Sequence, residues 1–337
     1  MKKFFINNIL LLPYLIILKI RHYCYDNGIF KSRKFDIPII SIGNIAIGGT
    51  GKTPHTEYFI KQLMPTHKVA VLSRGYGRKS RGFHLVQTDS TVREVGDEPL
   101  QMKRKFVDVV VAVCEKRVKG IELLLALPDE VRPTVIILDD AFQHRKVTPS
   151  KNILLVDYNT MLEPGILFPF GRLRDLPEQK RRADMVIVTK CPGEISPEER
   201  FIREQHLKLS KNQQLAFSTL KYGDPQSVFE GADRRYIYSK YAILITAVAN
   251  PKPLQYQLLP DYKIIEKMNF RDHHNFTKVE VHKINRKLAK NPKAVIFTTE
   301  KDAQRMMEKT KFSKSVKERL FYIPIEVAFI NENAEML

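Results

Sequence analysis

The chain has 337 residues, 43% hydrophobic and 28% charged, which excludes an intrinsically disordered protein and leaves room for two cores. Its 56 Lys and Arg against 37 Asp and Glu give a formal net charge of +19, so partners are expected among polyanions: anionic lipid, phosphorylated substrates or nucleic acid. Three cysteines, Cys24, Cys114 and Cys191, lack metal-ligand or C-x-x-C spacing, and their scatter suits a reducing compartment.

Residues 4–20 are almost continuously apolar, interrupted by Asn7, Asn8 and Pro13 and flanked by Lys2, Lys3, Lys19, Arg21 and His22. The stretch falls short of the ~20 clean apolar residues that span a bilayer, and no small-residue cleavage site follows it. Residues 1–30 are therefore expected to form a helix lying in a membrane interface, peripheral or monotopic; a buried N-terminal helix is the alternative.

Next comes an apolar strand, 37–42, then Gly48, Gly49, Thr50, Gly51, Lys52 and Thr53, then a helix over 54–64. Strand, glycine-rich loop, Lys-Thr and helix make a phosphate cradle. Loop amides and the helix N-terminus face phosphate oxygens, the lysine reaches the β- and γ-phosphates, and the threonine hydroxyl ligates magnesium. Ala46 stands where the strict motif wants glycine. Further strands are expected at 67–73, 107–113, 135–139, 153–157 and 185–189, with a helix over 116–127, which is the pattern of a parallel sheet covered by helices. The sequence turns polar near 223–235. It then alternates again through strands at 241–248, 264–270, 294–298 and 320–325 and a helix over 278–290. The fold class is thus α/β: a P-loop NTPase-type domain over 31–222 and a smaller α/β domain over 223–337.

Ligands of such sheets sit at strand carboxyl ends. Asp139 and Asp140 end one apolar strand, where a second nucleotide motif would place magnesium ligands. Asp97 and Glu98, after Gly96, are a base and a metal ligand or merely a helix start. His144 is a supporting group or a loop histidine. Asp272, His273 and His274 lack the further ligands of a zinc site, and a histidine orienting a base from the second domain is the better reading. Gly171 to Asp175, with Arg172 and Arg174, and the Arg181–Arg182 pair supply cations for phosphate, or a solvated basic loop.

Taken in order, Gly43-Asn44 with 48–54, Ser73 to Arg78, Val95 to Pro99, Asp139 to His144, Gly171 to Asp175, Asp272-His273 and Thr298 to Asp302 resemble the tetraacyldisaccharide 4'-kinase (lipid A 4'-kinase) family, over the chain up to about residue 325. The chain departs from the family pattern at Ala141, Asp175 and 246–251. The resemblance implies an enzyme of lipid A biosynthesis at the cytoplasmic face of the bacterial inner membrane. It would transfer the γ-phosphate of ATP to the 4'-hydroxyl of an acylated glucosamine disaccharide 1-phosphate, with Mg2+. It also implies site roles: Gly48, Gly49, Thr50, Gly51, Lys52, Thr53 and Arg174 for the nucleotide; Thr53, Glu98, Asp139 and Asp140 for the metal; Asp97 as general base assisted by His273. Expected partners are the lipid A disaccharide precursor and an anionic membrane surface, with neither nucleic acid nor an obligate protein partner. The alternative is a membrane-associated P-loop GTPase or ATPase switch without an acceptor, although 189–192 lacks the Asn-Lys-x-Asp signature of guanine recognition. A basic nucleic-acid ATPase leaves the apolar N-terminus unused.

Overall fold

In the computed structural model the described residues are 2–162, 165–308 and 311–330, with side chains from residue 11 onward. Met1 of the expected N-terminal helix and residues 331–337 of the expected second domain lie outside them.

Apolar runs buried on both faces become the central strands of a parallel sheet. These are β1 (Ile39–Gly43), β2 (Val69–Ser73), β4 (Val110–Val113), β5 (Val135–Asp139), β6 (Lys151–Asp157) and β7 (Met185–Thr189), with the two-residue β3 (His84–Leu85) on one edge. With β8 (Gln214–Tyr222) and, from the far end of the chain, β14 (Ile325–Phe329), they form a nine-stranded sheet in the order β14-β8-β7-β6-β1-β5-β2-β4-β3. Strands β8 to β4 in that order are joined by parallel pairings, and the two edge strands run antiparallel to their neighbours. The five intervening strands form a second sheet: β9 (Gln226–Ser227), β10 (Tyr241–Thr246), β11 (Lys263–Asn269), β12 (Val295–Thr299) and β13 (Leu320–Ile323), in the order β11-β10-β12-β13-β9.

The helices are α1 (Lys2–Asp26), α2 (Lys52–Leu63), α3 (Val92–Val95), α4 (Asp97–Lys105), α5 (Arg117–Leu125), α6 (Pro197–Leu207), α7 (Lys252–Leu258), α8 (Lys278–Lys290), α9 (Glu300–Met307) and α10 (Lys314–Arg319). On one face of the large sheet, Ile40 and Ile42 of β1 pack with Phe59 and Ile60 of α2 and with Leu100 and Met102 of α4. On the other, Leu72 and Leu138 meet Ile121 and Leu124 of α5. The second sheet has its own core, in which Ile243 and Ile296 pack with Val281 and Ile284 of α8 and Met306 of α9.

The two sheets are joined twice, once between β8 and β9 and once between β13 and β14. The two crossings touch, Gly223 N donating to Pro324 O at 3.0 Å. The final strand β14 therefore belongs to the large sheet although it lies well past residue 223, where the second domain was expected to begin. Helix α1 is a single helix through Pro13. It rests on the large unit along one stripe, Leu11, Leu15 and Leu18 packing on Ile166, Leu167, Leu173 and Leu176. Among the described residues no helix is long and apolar enough to cross a membrane.

Candidate active site

Strand β1 delivers its chain to a loop that turns directly into α2. Gly51 is the residue before the helix, at φ +82°, a left-handed conformation that suits glycine. No side chain caps α2 and its first turn carries no acidic residue, so its amide groups remain available to an anion. The loop is held in shape from outside: Asn44 Nδ2 donates to Thr50 Oγ1 at 2.7 Å, and Thr189 Oγ1 to the Thr50 carbonyl at 2.9 Å. Gly49 has nothing within 4 Å of where a Cβ would stand, and at Gly48 a Cβ would fall 2.8 Å from the Arg172 guanidinium. Thr53 lies half-buried in the first turn of α2.

Across from this loop, β5 ends in Asp139 and Asp140. Asp139 is buried and accepts from Thr56 Oγ1 and Ser73 Oγ, each at 3.2 Å. Burial, then the negative charges of Glu98 and Asp140, push its carboxyl up to about 6. Asp140 sits at φ 49°. Burial would raise it too, but the Arg174 hydrogen bond and the charges of Lys52, Arg174 and Arg117 outweigh burial and hold it below the ordinary value. Lys52 Nζ is 3.9 Å from Asp140, and Arg174 Nη1 donates to Asp140 Oδ2 at 3.0 Å. Arg174 also donates to Asn44, so both expected phosphate cations are here engaged with protein oxygens.

Helix α4 begins at Asp97. Its preceding Gly96 sits at φ +90°, a conformation that favours glycine, and a Cβ there would crowd the Tyr76 carbonyl at 3.1 Å. Asp97 is buried, and its Oδ2 accepts from His273 Nδ1 at 2.9 Å and from Arg305, while its Oδ1 accepts from Glu98 N at 2.9 Å. Burial alone would raise this carboxyl; the His273 hydrogen bond and the charges of Lys301, His273 and Arg305 outweigh it and leave the pKa lowered. His273 stands at φ 58° beyond β11, packed on the Tyr76 ring at 5.0 Å, with Lys301 Nζ 3.1 Å from its Nε2. An ammonium offers no acceptor, so Nε2 accepts and the ring proton sits on Nδ1, facing Asp97. Lys301 also pairs with Glu98 at 3.0 Å.

The sequence-based site residues thus fall into two groups at the carboxyl ends of β1, β2 and β5. Lys52, Asp140 and Arg174 meet beside the loop, and Asp97 and Glu98 meet His273 and Lys301 beside the second sheet. Three groups that sequence reasoning passed over complete the arrangement. Arg305 and Lys301, on α9, hold Asp97 and Glu98, and Arg305 is itself clamped by Asp302. Arg117 donates to the carbonyls of Cys114 and Asp139. The Asp302/Arg305 spacing of three along a helix fits an ion pair within α9 but says nothing of the contact with Asp97. His274 is elsewhere, stacked on Phe270 and bonded to Glu280. Among the described residues no three or more His, Cys, Asp and Glu side chains converge as a metal site.

The family model described as tetraacyldisaccharide-1-P 4'-kinase matches residues 6–337. The chain belongs to the tetraacyldisaccharide-1-P 4'-kinase family. Proteins named tetraacyldisaccharide 4'-kinase are among its relatives. One from Phocaeicola vulgatus is 45% identical, covering 94% of this chain and 88% of its own. One from Flavobacterium johnsoniae is 41% identical, covering 94% and 90%. Among solved structures, LpxK from Aquifex aeolicus in complex with ATP superposes with a TM-score of 0.73 at 29% identity, covering 96% of this chain and 95% of that one. The family, the α/β class and the parallel-rich large sheet expected from sequence all stand.

Proposed function

We propose that this protein transfers the γ-phosphoryl group of ATP to the 4'-hydroxyl of an acylated glucosamine disaccharide 1-phosphate, at the cytoplasmic face of the bacterial inner membrane. The observation that carries the reading is the Asp97–His273 hydrogen bond, 2.9 Å long, formed between the two sheets beside a phosphate-cradling loop in a chain of this family. A bare nucleotide switch has no use for a buried carboxylate set up in this way.

In this reading the amides of Gly48 to Lys52 and the Lys52 ammonium hold the phosphates, with Arg174 released from Asp140 to meet the charge that develops during transfer. Asp97 accepts the proton of the 4'-hydroxyl as its oxygen bonds to phosphorus and the bond to the ADP oxygen breaks. Oδ2 already accepts from two donors, His273 and Arg305, and Oδ1 from the Glu98 amide alone, so Oδ1 is the oxygen that takes the proton. His273 fixes the carboxylate's orientation through Nδ1. Because His273 and Arg305 come from the unit built on the second sheet, the base is complete only when the two units are together, an arrangement that also keeps water from the donor.

Thr53, Glu98, Asp139 and Asp140 would hold magnesium. All offer hard oxygen donors, and the crowding that raises Asp139 is the kind of charge a divalent cation relieves. Few protein ligands suit an ion that keeps waters and takes phosphate oxygens. When bound it neutralises phosphate charge.

Incubation with γ-labelled ATP and four acceptors tests the whole reading: the acylated disaccharide 1-phosphate, its deacylated form, nucleic acid, and water alone. Label on the acylated disaccharide alone is the expected outcome. Label released only as inorganic phosphate would convert the protein into a nucleotide switch.

A further inference from the structure

Two neighbouring surfaces carry apolar side chains left open to solvent. Helix α1 buries Leu11 and Leu18, yet its remaining circumference presents Leu12, Ile16, Ile17 and Ile20 where a solvated helix carries charge; Ile17 is 61% exposed. The segment on which α1 packs, residues 167–173, turns Leu167 and Leu173 inward and leaves Phe168 and Phe170 outward, 54% and 45% exposed. Tyr14 of α1 reaches the end of this segment, its hydroxyl 3.4 Å from the carbonyl of the next residue, Arg174. Phe168 and Phe170, flanking Pro169 at an exposed turn, each leave about half of their surface to solvent and take no part in the apolar cluster beneath α1, so core packing does not explain them. Exposed Lys19 on α1 and exposed Arg172 in the segment itself put positive charge at the margin of this apolar area.

We propose that the Leu167–Leu173 segment is a second bilayer-inserting element beside α1, with Phe168 and Phe170 entering the acyl boundary of an anionic membrane. The charge complementarity of the basic margin, within a chain of net charge +19, selects anionic lipid as the occupant. The segment also touches the phosphate loop: Ile47 N donates to the Arg172 carbonyl, Ala46 bridges Leu173, and the Arg172 side chain lies over Gly48. A membrane contact here is therefore one hydrogen bond from the loop assigned to the nucleotide, which brings the donor site to the depth at which a lipid acceptor's headgroup lies. The inference rests on the reading above that the protein works at a membrane surface.

The chain has no tryptophan, so a single introduced indole reports its own surroundings. Three full-length variants are compared on phosphatidylglycerol-containing vesicles with brominated acyl chains: Phe168→Trp, Ile17→Trp on α1, and Tyr238→Trp, at a site 85% exposed in the second unit. Emission from Phe168→Trp and Ile17→Trp is expected to shift to shorter wavelength and lose intensity. Bromines near the carbonyl end should quench more than those near the methyl end, while Tyr238→Trp stays unmoved. Quenching of Ile17→Trp without Phe168→Trp overturns the second element and leaves the membrane reading standing. Quenching of neither overturns both, and equal quenching of all three shows adsorption without orientation and overturns the proposal as well.

Discussion

Arg305 and Asp97 form an ion pair between the two units of the molecule, both side chains almost fully buried. Arg305 is held at its other end by Asp302, which in turn accepts from the amide of Ala247. A single guanidinium thus compensates two buried carboxylates, one on each side of the interface. Removing it takes the paired cation from Asp302 and leaves Asp97 only His273 and the charge of Lys301, in a region of low polarity. Arg305→Met should destabilise the protein by about 3–5 kcal/mol, read as a lowered midpoint in urea. An unchanged midpoint would mean that water reaches Asp97 and Asp302 readily.

Lys52→Ala should lower kcat/KM by about 10²–10³-fold while leaving thermal unfolding in place, because the lysine opens α2 and belongs to none of the apolar cores. Normal turnover in that variant would remove the phosphate-loop assignment.

Asp97→Asn should reduce kcat by about 10²–10⁴-fold with little change in the KM for ATP. A large rise in KM for ATP with kcat preserved would instead place Asp97 among the metal-holding groups. His273→Ala should follow the same pattern more weakly, since it orients the base without receiving the proton.

Glu300 gives the stability a pH dependence. It shares Lys105 with Glu57, the lysine lying 3.2 Å from Glu300 and 2.6 Å from Glu57, with Lys61 further off. Burial, then the Glu57 charge, pushes its carboxyl from the ordinary 4.5 up to about 7. The folded chain therefore holds this proton more tightly than the unfolded chain does. The resulting contribution is complete below 4.5 and is lost as pH rises through 7; Glu57 is raised as well and acts in the same direction. Glu300→Gln should flatten the decline in urea stability between pH 5 and pH 8. If the wild-type and variant profiles remain parallel, the triad titrates elsewhere.

How much of this was readable from residues alone varied with the kind of evidence. The phosphate loop and the Asp139 strand end were legible because their chemistry is local: an apolar run, then glycines or acids at fixed offsets. The Asp97–His273 pairing spans 176 positions, and only the family motifs suggested it. Arg305 was invisible because Glu300 to Met307 mixes charged and apolar residues like an ordinary solvated helix. Packing of α9 on α4 turns that arginine inward, and no local pattern encodes such a contact. Strand β8 was missed because only Ala216, Phe217 and Ser218 of its nine residues are buried, which blurs the alternation that marks a strand.

The last strand of the large sheet comes from the end of the chain, and this limits how the protein can be taken apart. A fragment ending at Tyr222 would retain every residue of the phosphate loop yet uncover the edge of β8 from Ser218 to Tyr222, where β14 pairs with it. An uncovered strand edge is an invitation to intermolecular pairing. Expression of the nucleotide-binding half alone should therefore yield aggregates, whereas a fragment in which a two-residue turn joins Tyr222 to Ile325–Phe329 keeps the edge closed within one half.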